Sequence, residues 1–566
     1  MAYEADLVYC LPVVYFFVSA IALFTLVRLL SAYAPASIRS PGWQRCVSAC
    51  RFLSYKSWRL GGWTSQPLGV VLLTCAGAVF LAALTLGPKP YYWPTDAHYG
   101  NSPPIATRTG WLALACLPFI LALGAKANMV TALTGVPPEK LNVWHNYISW
   151  AMFVLALIHT FPFIIFHNTK GDTAEVFRDG GVWLTGAIAI IAQAWLTFMS
   201  ISWIRNRWYE FFKVTHYFFA ATFVVFFFLH CAYRMTSWDY FIAAGAIYLA
   251  SLLYAVGRTL IKHGIRHTAH LRLETPDALR ISVSTPSSWR PAQHVYLRFL
   301  ACGAHALTAH PLTVCSLPEA DSKRGGEMVF YVQPRGGLTR RLAGMARKQP
   351  GLGVTVLLEG PYGGMPERWA RGFDRTLLVA GGSGCGFTLA LVDDWVRRRV
   401  RAPERELKVV LATRGPGMRN WYLNELRSIV GRLENDIGGS ALTNVAILIH
   451  ETNEASEEGS ARSGLCGDDN VDGIEKGSME PSVHGCESPS STLPFPVHFL
   501  RGRPDTAVAV KGLALDTQEG STVGVAVCGP SGMIHDVGAE AAAQQQRILR
   551  GRSGVSEVWF HKEAFS

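Results

Sequence analysis

Two stretches carry the same punctuation. Residues 145–159 read HNYISWAMFVLALIH and residues 216–230 read HYFFAATFVVFFFLH, each an apolar run with a histidine at either end. On an α-helix 14 residues climb about 21 Å and come back to within about 40° of the starting face. Each run therefore offers two imidazoles on one side, one near each end. Imidazole is the commonest side-chain metal ligand, and two imidazoles facing each other from neighbouring helices are a natural axial pair for a haem iron. Co-directional helices would bring His145 to His216 and His159 to His230, two pairs too far apart for one ion and suited to two haems. A histidine at a helix end can also simply rest at headgroup depth. That plainer reading serves one residue; ionisable groups within spans are costly and usually functional, and here the spacing repeats.

The elements that must position these rings are legible in the composition. The chain has 566 residues, half of them hydrophobic and 16% charged, too apolar for an ordinary soluble protein. The surplus is concentrated in seven runs near 7–30, 66–86, 110–129, 142–166, 183–204, 212–233 and 239–258, each long enough to cross a bilayer as a helix. One run separates the fourth from the sixth, so the two histidine-bearing helices share a direction. Loops on one side carry 13 Lys and Arg and those on the other only five, which predicts an outside N-terminus and cytoplasmic C-terminal domains. No basic stretch precedes the first run, so no cleaved signal peptide is expected. These loops account for much of the +11 charge, and no nucleic-acid partner is inferred. The 12 cysteines show no zinc spacing. Between 451 and 490 ten acidic residues face two basic ones, and about 452–494 is predicted to be a disordered insertion.

Beyond residue 265 the pattern turns to short strands, such as AHLRLETPDALRISVSTP, PAQHVYLRFL and HPLTVCSLP, expected to form a small antiparallel β-barrel. In GGLTRRL (336–342) a Gly-Gly turn opens a helix with Thr339, Arg340 and Arg341 in its first turn. Free N–H groups and positive charge there suit a pyrophosphate. RTLLVAGGSGCGFTLALV (375–392) reads as a buried strand, a glycine turn and a helix; Gly381, Gly382, Ser383, Gly384 and Gly386 would let backbone approach a dinucleotide. LKVVLATRG, NVAILIHET and TVGVAVCGPSGM continue as βα units of a parallel sheet, with ligands at the strand C-termini.

The two histidine pairs, with RNRWYEFFKVTH leading into the second, resemble the ferric reductase transmembrane domain shared by fungal ferric/cupric reductases and NADPH oxidases. The equal spacings and the extra first span look more like the fungal metalloreductases. The resemblance implies a polytopic α-helical membrane domain with two b-type haems (1–264), a ferredoxin–NADP reductase-like module with an antiparallel FAD-binding β-barrel (265–370), and an α/β NADPH-binding domain (371–566). It implies that His310, Pro311, Leu312 and Thr313 hold the flavin, with Leu312 where an aromatic is usual. It also implies that Cys528, Gly529 and Pro530 lie at the nicotinamide, that Arg414 and Arg503 are candidates for the 2′-phosphate, and that Phe565 of the closing FHKEAF covers the flavin. The implied activity moves electrons from cytoplasmic NADPH through FAD and the haems to extracellular ferric or cupric chelates. It would support iron or copper uptake at the plasma membrane, beside a downstream iron permease/oxidase system. The alternatives are an NADPH oxidase that reduces O2 to superoxide and, more remotely, a transporter with a nucleotide-sensing tail.

Overall fold

A computed structural model of the chain describes residues 4–33, 40–92, 102–318, 326–399, 404–437, 444–452, 493, 495–515 and 519–563. The expected disordered insertion and Phe565 therefore fall almost wholly outside the described residues. Two compact units result, one from residues 1–38 and 69–264, the other from 39–68 and 265–565.

Among the described residues the first unit contains seven helices long and apolar enough to cross a membrane: Asp6–Leu30, Leu68–Leu86, Pro104–Gly124, Pro138–Lys170, Gly181–Met199, Tyr209–Cys231 and Ser237–Lys262. Lipid offers no partners for backbone groups, so each apolar run satisfies its own as a helix. The third span is the central one, fully buried at Leu112, Ala115, Cys116 and Leu117. It packs most extensively on the fourth, and the fifth on the sixth. That third helix starts at Pro104, earlier than the apolar run suggested, and takes Arg108 inside. The charge of Arg108 truncates the apolar window in the sequence, which places it among the five Lys and Arg of the outer loops. In the fold its guanidinium lies 5.3 Å from the ring of Tyr91.

In the second unit, β1 (His267–Thr275), β2 (Ala278–Thr285), β3 (Gln293–Phe299), β4 (His310–Thr313), β5 (Gly326–Val332) and β6 (Leu352–Gly363) form one antiparallel sheet in the order β4-β3-β6-β1-β2-β5. Its apolar face, including Leu271, Ile281, Leu297 and Phe330, closes over one core. A second, parallel sheet has the order β10-β9-β8-β7-β11-β12, built from β7 (Arg375–Gly381), β8 (Glu406–Thr413), β9 (Val445–Glu451), β10 (Val497–Arg501), β11 (Thr522–Cys528) and β12 (Glu557–Glu563).

The central strands of this second sheet read as continuous apolar runs because both faces are covered. The longer helices described in this unit are α1 (Pro41–Tyr55), α2 (Gly337–Lys348), α3 (Cys385–Arg399), α4 (Pro416–Ile437), α5 (Thr506–Leu515) and α6 (Ser531–Leu549). Helices α3 and α4 bury one face of the parallel sheet, and α5 and α6 the other. Helix α1 comes from between the first and second spans in sequence, yet it packs on α6 and β12.

Candidate functional site

In the first unit the rings meet in pairs. His145 and His216 have centroids 6.3 Å apart, and His159 and His230 5.8 Å apart. Three of the four imidazoles are held in one way. The Nδ1 of His145 lies 2.9 Å from the carbonyl of Ile120, that of His159 2.8 Å from Ala106, and that of His230 2.8 Å from Val182. A carbonyl only accepts, so Nδ1 carries the proton and Nε2 keeps its lone pair for a metal.

Four residues after each acceptor stands a glycine. A Cβ on Gly110 would lie 2.7 Å from Nδ1 of His159, one on Gly186 2.6 Å from that of His230, and one on Gly124 3.1 Å from that of His145. A side chain there would push the ring off its carbonyl. Sequence reasoning missed these glycines, although Gly110 and Gly124 repeat the 14-residue spacing of the histidines they receive. His216 lacks both devices: among the described residues its buried Nδ1 has no hydrogen-bond partner, and its ring is held by Phe212 and Tyr217.

The fit to a haem can be tested on this spacing. A ligating imidazole nitrogen sits about 2 Å from its metal, with the ring centroid about 1 Å further back, so one iron between two rings needs centroids roughly 6 Å apart. Both pairs meet that requirement. Arg108 adds a second sign. It is 1% exposed, and among the described residues nothing pairs with its Nε or one of its terminal nitrogens. It lies two residues along the helix from the carbonyl that holds His159. A buried guanidinium with two nitrogens left unpaired suits a porphyrin carboxylate.

In the second unit the nucleotide motifs converge. The turn after β7 and the turn after β11 interlock. A Cβ on Gly384 would lie 2.1 Å from the carbonyl oxygen of Cys528, and one on Gly381 2.7 Å from Pro530. Gly529 in turn abuts the backbone of Gly381, and Gly382 has the left-handed φ of 56°. Across from them, a Cβ on Gly386 would lie 2.6 Å from Sγ of Cys315, two residues past β4. The strand carrying His310 to Thr313 thus ends against the glycine turn that carries Gly381 to Gly386, Ser383 among them.

His310 Nε2 lies 3.0 Å from the hydroxyl of Thr308. Thr313 is the register partner of His294, itself the partner of Tyr362. Leu312 packs on the barrel core, whereas Pro311 is exposed. Thr339 ties the start of α2 to the preceding turn, donating to the carbonyl of Gly336 at 2.9 Å and accepting from the N–H of Arg335; Arg340 beside it is exposed.

Cys528 is fully buried and is the register partner of Glu563 on β12. Burial pushes its thiol up and the Glu563 carboxylate adds to the shift, so the sulfur is a neutral packing group rather than a nucleophile. At the C-terminal edge of the sheet, Thr413, Glu451 and Arg501 form one row. Arg414 and Arg503 are exposed just beyond it. Glu451 is paired with Arg419, a residue the sequence reading did not single out.

Three family models match in the order of these parts. They are "Ferric reductase like transmembrane component" over residues 109–227, "FAD-binding domain" over 264–366 and "Ferric reductase NAD binding domain" over 373–542. Parts of the chain are thus similar to ferric reductases, in the helical stretch and again in the nucleotide-binding stretch. The ferric reductase match holds His145, His159 and His216, and His230 follows just beyond its end. Relatives include a probable cell surface ferric reductase of Aspergillus oryzae, 31% identical over 64% of this chain and 50% of the relative. Another is ferric/cupric reductase transmembrane component 1 of Candida albicans, 25% identical over 79% of this chain and 56% of the relative. The chain thus spans about half the length of these ferric reductase relatives. A ferredoxin NADP+ reductase from Neisseria gonorrhoeae with bound FAD and NADP overlaps it with a TM-score of 0.33 and 15% identity, over 53% of this chain and 97% of that one.

Proposed function

We propose that the chain is a transmembrane metalloreductase that draws electrons from cytoplasmic NADPH and delivers them to ferric or cupric chelates on the opposite face. The observation that carries this is the pair of ring-to-ring spacings, 6.3 and 5.8 Å, at opposite ends of two shared helices. When bound, FAD and two b-type haems supply the redox chemistry, taking a hydride's two electrons and relaying them singly. The protein fixes positions. His145 and His216 hold the inner iron and His159 and His230 the outer one, because a single tunnelling step through about 30 Å of hydrocarbon would be too slow. Arg108 neutralises a porphyrin carboxylate at the outer level.

In the cytoplasmic half we assign 265–370 to the flavin and 371–566 to the nucleotide. His310 and Thr313 lie along the flavin and Pro311 with Leu312 shapes its strand. Thr339 and Arg340 present the helix start to the pyrophosphate. The turn Gly381 to Gly386 cradles the NADPH phosphates, and Arg414 and Arg503 meet the 2′-phosphate. Cys528, Gly529 and Pro530 form the floor beneath the nicotinamide, and Phe565 covers the flavin. The Lys/Arg asymmetry of the loops supports an outside N-terminus. The cell-surface description of the Aspergillus relative supports a plasma-membrane location.

The test is to supply NADPH to the cytoplasmic face of sealed vesicles and trap Fe2+ with an impermeant chelator on the other. Trapped Fe2+ insensitive to superoxide dismutase is expected; superoxide in its place would make the chain an oxidase. His159→Ala should abolish this transmembrane reduction and leave NADPH-dependent flavin reduction in place. A flat reduced-minus-oxidised spectrum of the purified protein would remove the reading altogether.

A further inference from the structure

Helix α1 is capped by Ser40, whose hydroxyl accepts from the N–H of Trp43, and it carries a Pro at its first position. Its inner face belongs to the nucleotide-binding unit. Tyr55 accepts the N–H of Phe560 at 3.1 Å, occupying an edge donor of β12 that no strand satisfies. Its ring meets that of Phe560 edge-on at 5.3 Å. Ser57 lies 3.1 Å from Nδ1 of His535 in the first turns of α6. Gly538 leaves room for Phe560, since a Cβ there would come within 3.3 Å of the ring. An exposed sheet edge is a liability that folds usually cover, and here the cover is a segment lying between two membrane spans in sequence.

At the start of β12 the cover is locked by charge. Glu557 receives Arg51 from α1 on one carboxylate oxygen and Arg368 on both, with Nε 2.9 Å from each. The three side chains are only about a fifth exposed, at 20%, 21% and 18% for Arg51, Arg368 and Glu557. Arg368 is fixed in turn by the carbonyl of Gly372 and by the ring of Phe373, 4.1 Å away. From Glu557 the same face of the strand continues through Trp559, stacked on Phe373, to His561, stacked on Trp559 and Phe387. It ends at Glu563, the register partner of Cys528. One stiff strand therefore joins the lock to the nicotinamide turn.

We propose that Glu557, with Arg51 and Arg368, is a positioning residue for electron delivery: it fastens the nucleotide-binding sheet to the loop between the first and second spans. The inference rests on the metalloreductase reading for its electron acceptor. The two half-reactions then depend on the lock differently. NADPH-to-flavin transfer lies within residues 265–565, whereas delivery into the membrane also needs those residues held to the loop at 39–68, which the chain continues into the first and second spans. A misplacement of about 1 Å can cost around a hundredfold in rate.

The experiment uses the full chain in vesicles with haem and flavin loaded. Arg51→Glu, which places two carboxylates together, is compared with Arg51→Lys, which keeps the charge. Haem reduction by NADPH is followed by stopped-flow absorbance, and flavin turnover by ferricyanide reduction. Arg51→Glu should slow haem reduction about tenfold or more with ferricyanide turnover within about twofold, and Arg51→Lys should stay near the parent. Equal loss of both activities would show mere structural damage, and loss of neither would show an idle ion pair; either result overturns the proposal. If the parent protein itself reduces no haem, the metalloreductase reading has failed instead.

Discussion

At the scale of single residues, the most constrained atoms are the three Nδ1 nitrogens bound to helix carbonyls and the glycines that admit them. Gly110→Ala and Gly186→Ala should each displace an outer imidazole and halve the pyridine haemochrome. Gly124→Ala, where the approach is 3.1 Å rather than 2.7 or 2.6 Å, should be milder and act on the inner haem. Unchanged haem content in all three would show that the rings are positioned by other means. His216 was as legible in the sequence as its three counterparts, but its missing acceptor was not, because a hydrogen bond between helices leaves no trace in spacing along one of them.

Cys528 offers a second residue-level test. Burial, and after it the Glu563 carboxylate, favours the protonated thiol, so NADPH oxidation should show no thiolate limb between about pH 6 and 9, a window that brackets an ordinary cysteine. Cys528→Ser should be tolerated within a few-fold. Cys528→Arg should abolish hydride transfer, because the site lies against Gly384 and Glu563 with no room for a guanidinium. A severe loss in the serine variant would give the sulfur a chemical role.

At the scale of elements, β12 is an edge strand finished by a helix from elsewhere in the chain. Tyr55→Phe removes the acceptor for the Phe560 N–H and should cost about 1 kcal/mol of local stability, seen as faster amide exchange in 557–563. The charged end has a pH sign. Burial alone would raise the carboxyl of Glu557, but the hydrogen bonds from Arg368 and the charges of Arg51 and Arg368 outweigh it and hold the group below the ordinary glutamate range. A carboxyl lowered by folding contributes its stability above its unfolded value and loses it as pH falls through the folded one. Protection of β12 should thus be steady from neutral pH to about 5 and decline below the ordinary glutamate range, and in Glu557→Gln that decline should vanish.

None of this lock was visible in the sequence. Arg51 and Glu557 are 506 positions apart, and Arg51 reads there as one more cytoplasmic loop cation. The spans, the barrel strands and the parallel βα units were legible because period and apolarity are local properties. Leu312 stands in the expected tetrapeptide, and its packing against the barrel core is a contact that the motif alone does not reveal.

At the scale of the whole molecule, seven apolar helices among the described residues precede an antiparallel and then a parallel sheet; Gly381 and Gly384 lock the Cys528–Pro530 turn within the parallel sheet, and Gly386 against Cys315 joins that sheet to the antiparallel one. Each of these glycines leaves less than 3 Å for a Cβ, so Gly386→Ala should loosen flavin and NADPH binding together. A change in only one affinity would mean that the two sheets meet elsewhere. Because the central third span supplies carbonyls to both histidine levels, a lesion there should affect both haems, whereas one in the fifth span should affect only the level of His230.

The three carbonyl-held imidazoles have a bearing on biogenesis. Their protons are parked and their lone pairs aimed by the polypeptide alone, so little rearrangement awaits the arriving tetrapyrrole. Cells starved of porphyrin should therefore accumulate intact, loadable protein in the membrane rather than degraded fragments, and late addition of hemin should restore its spectrum without new synthesis.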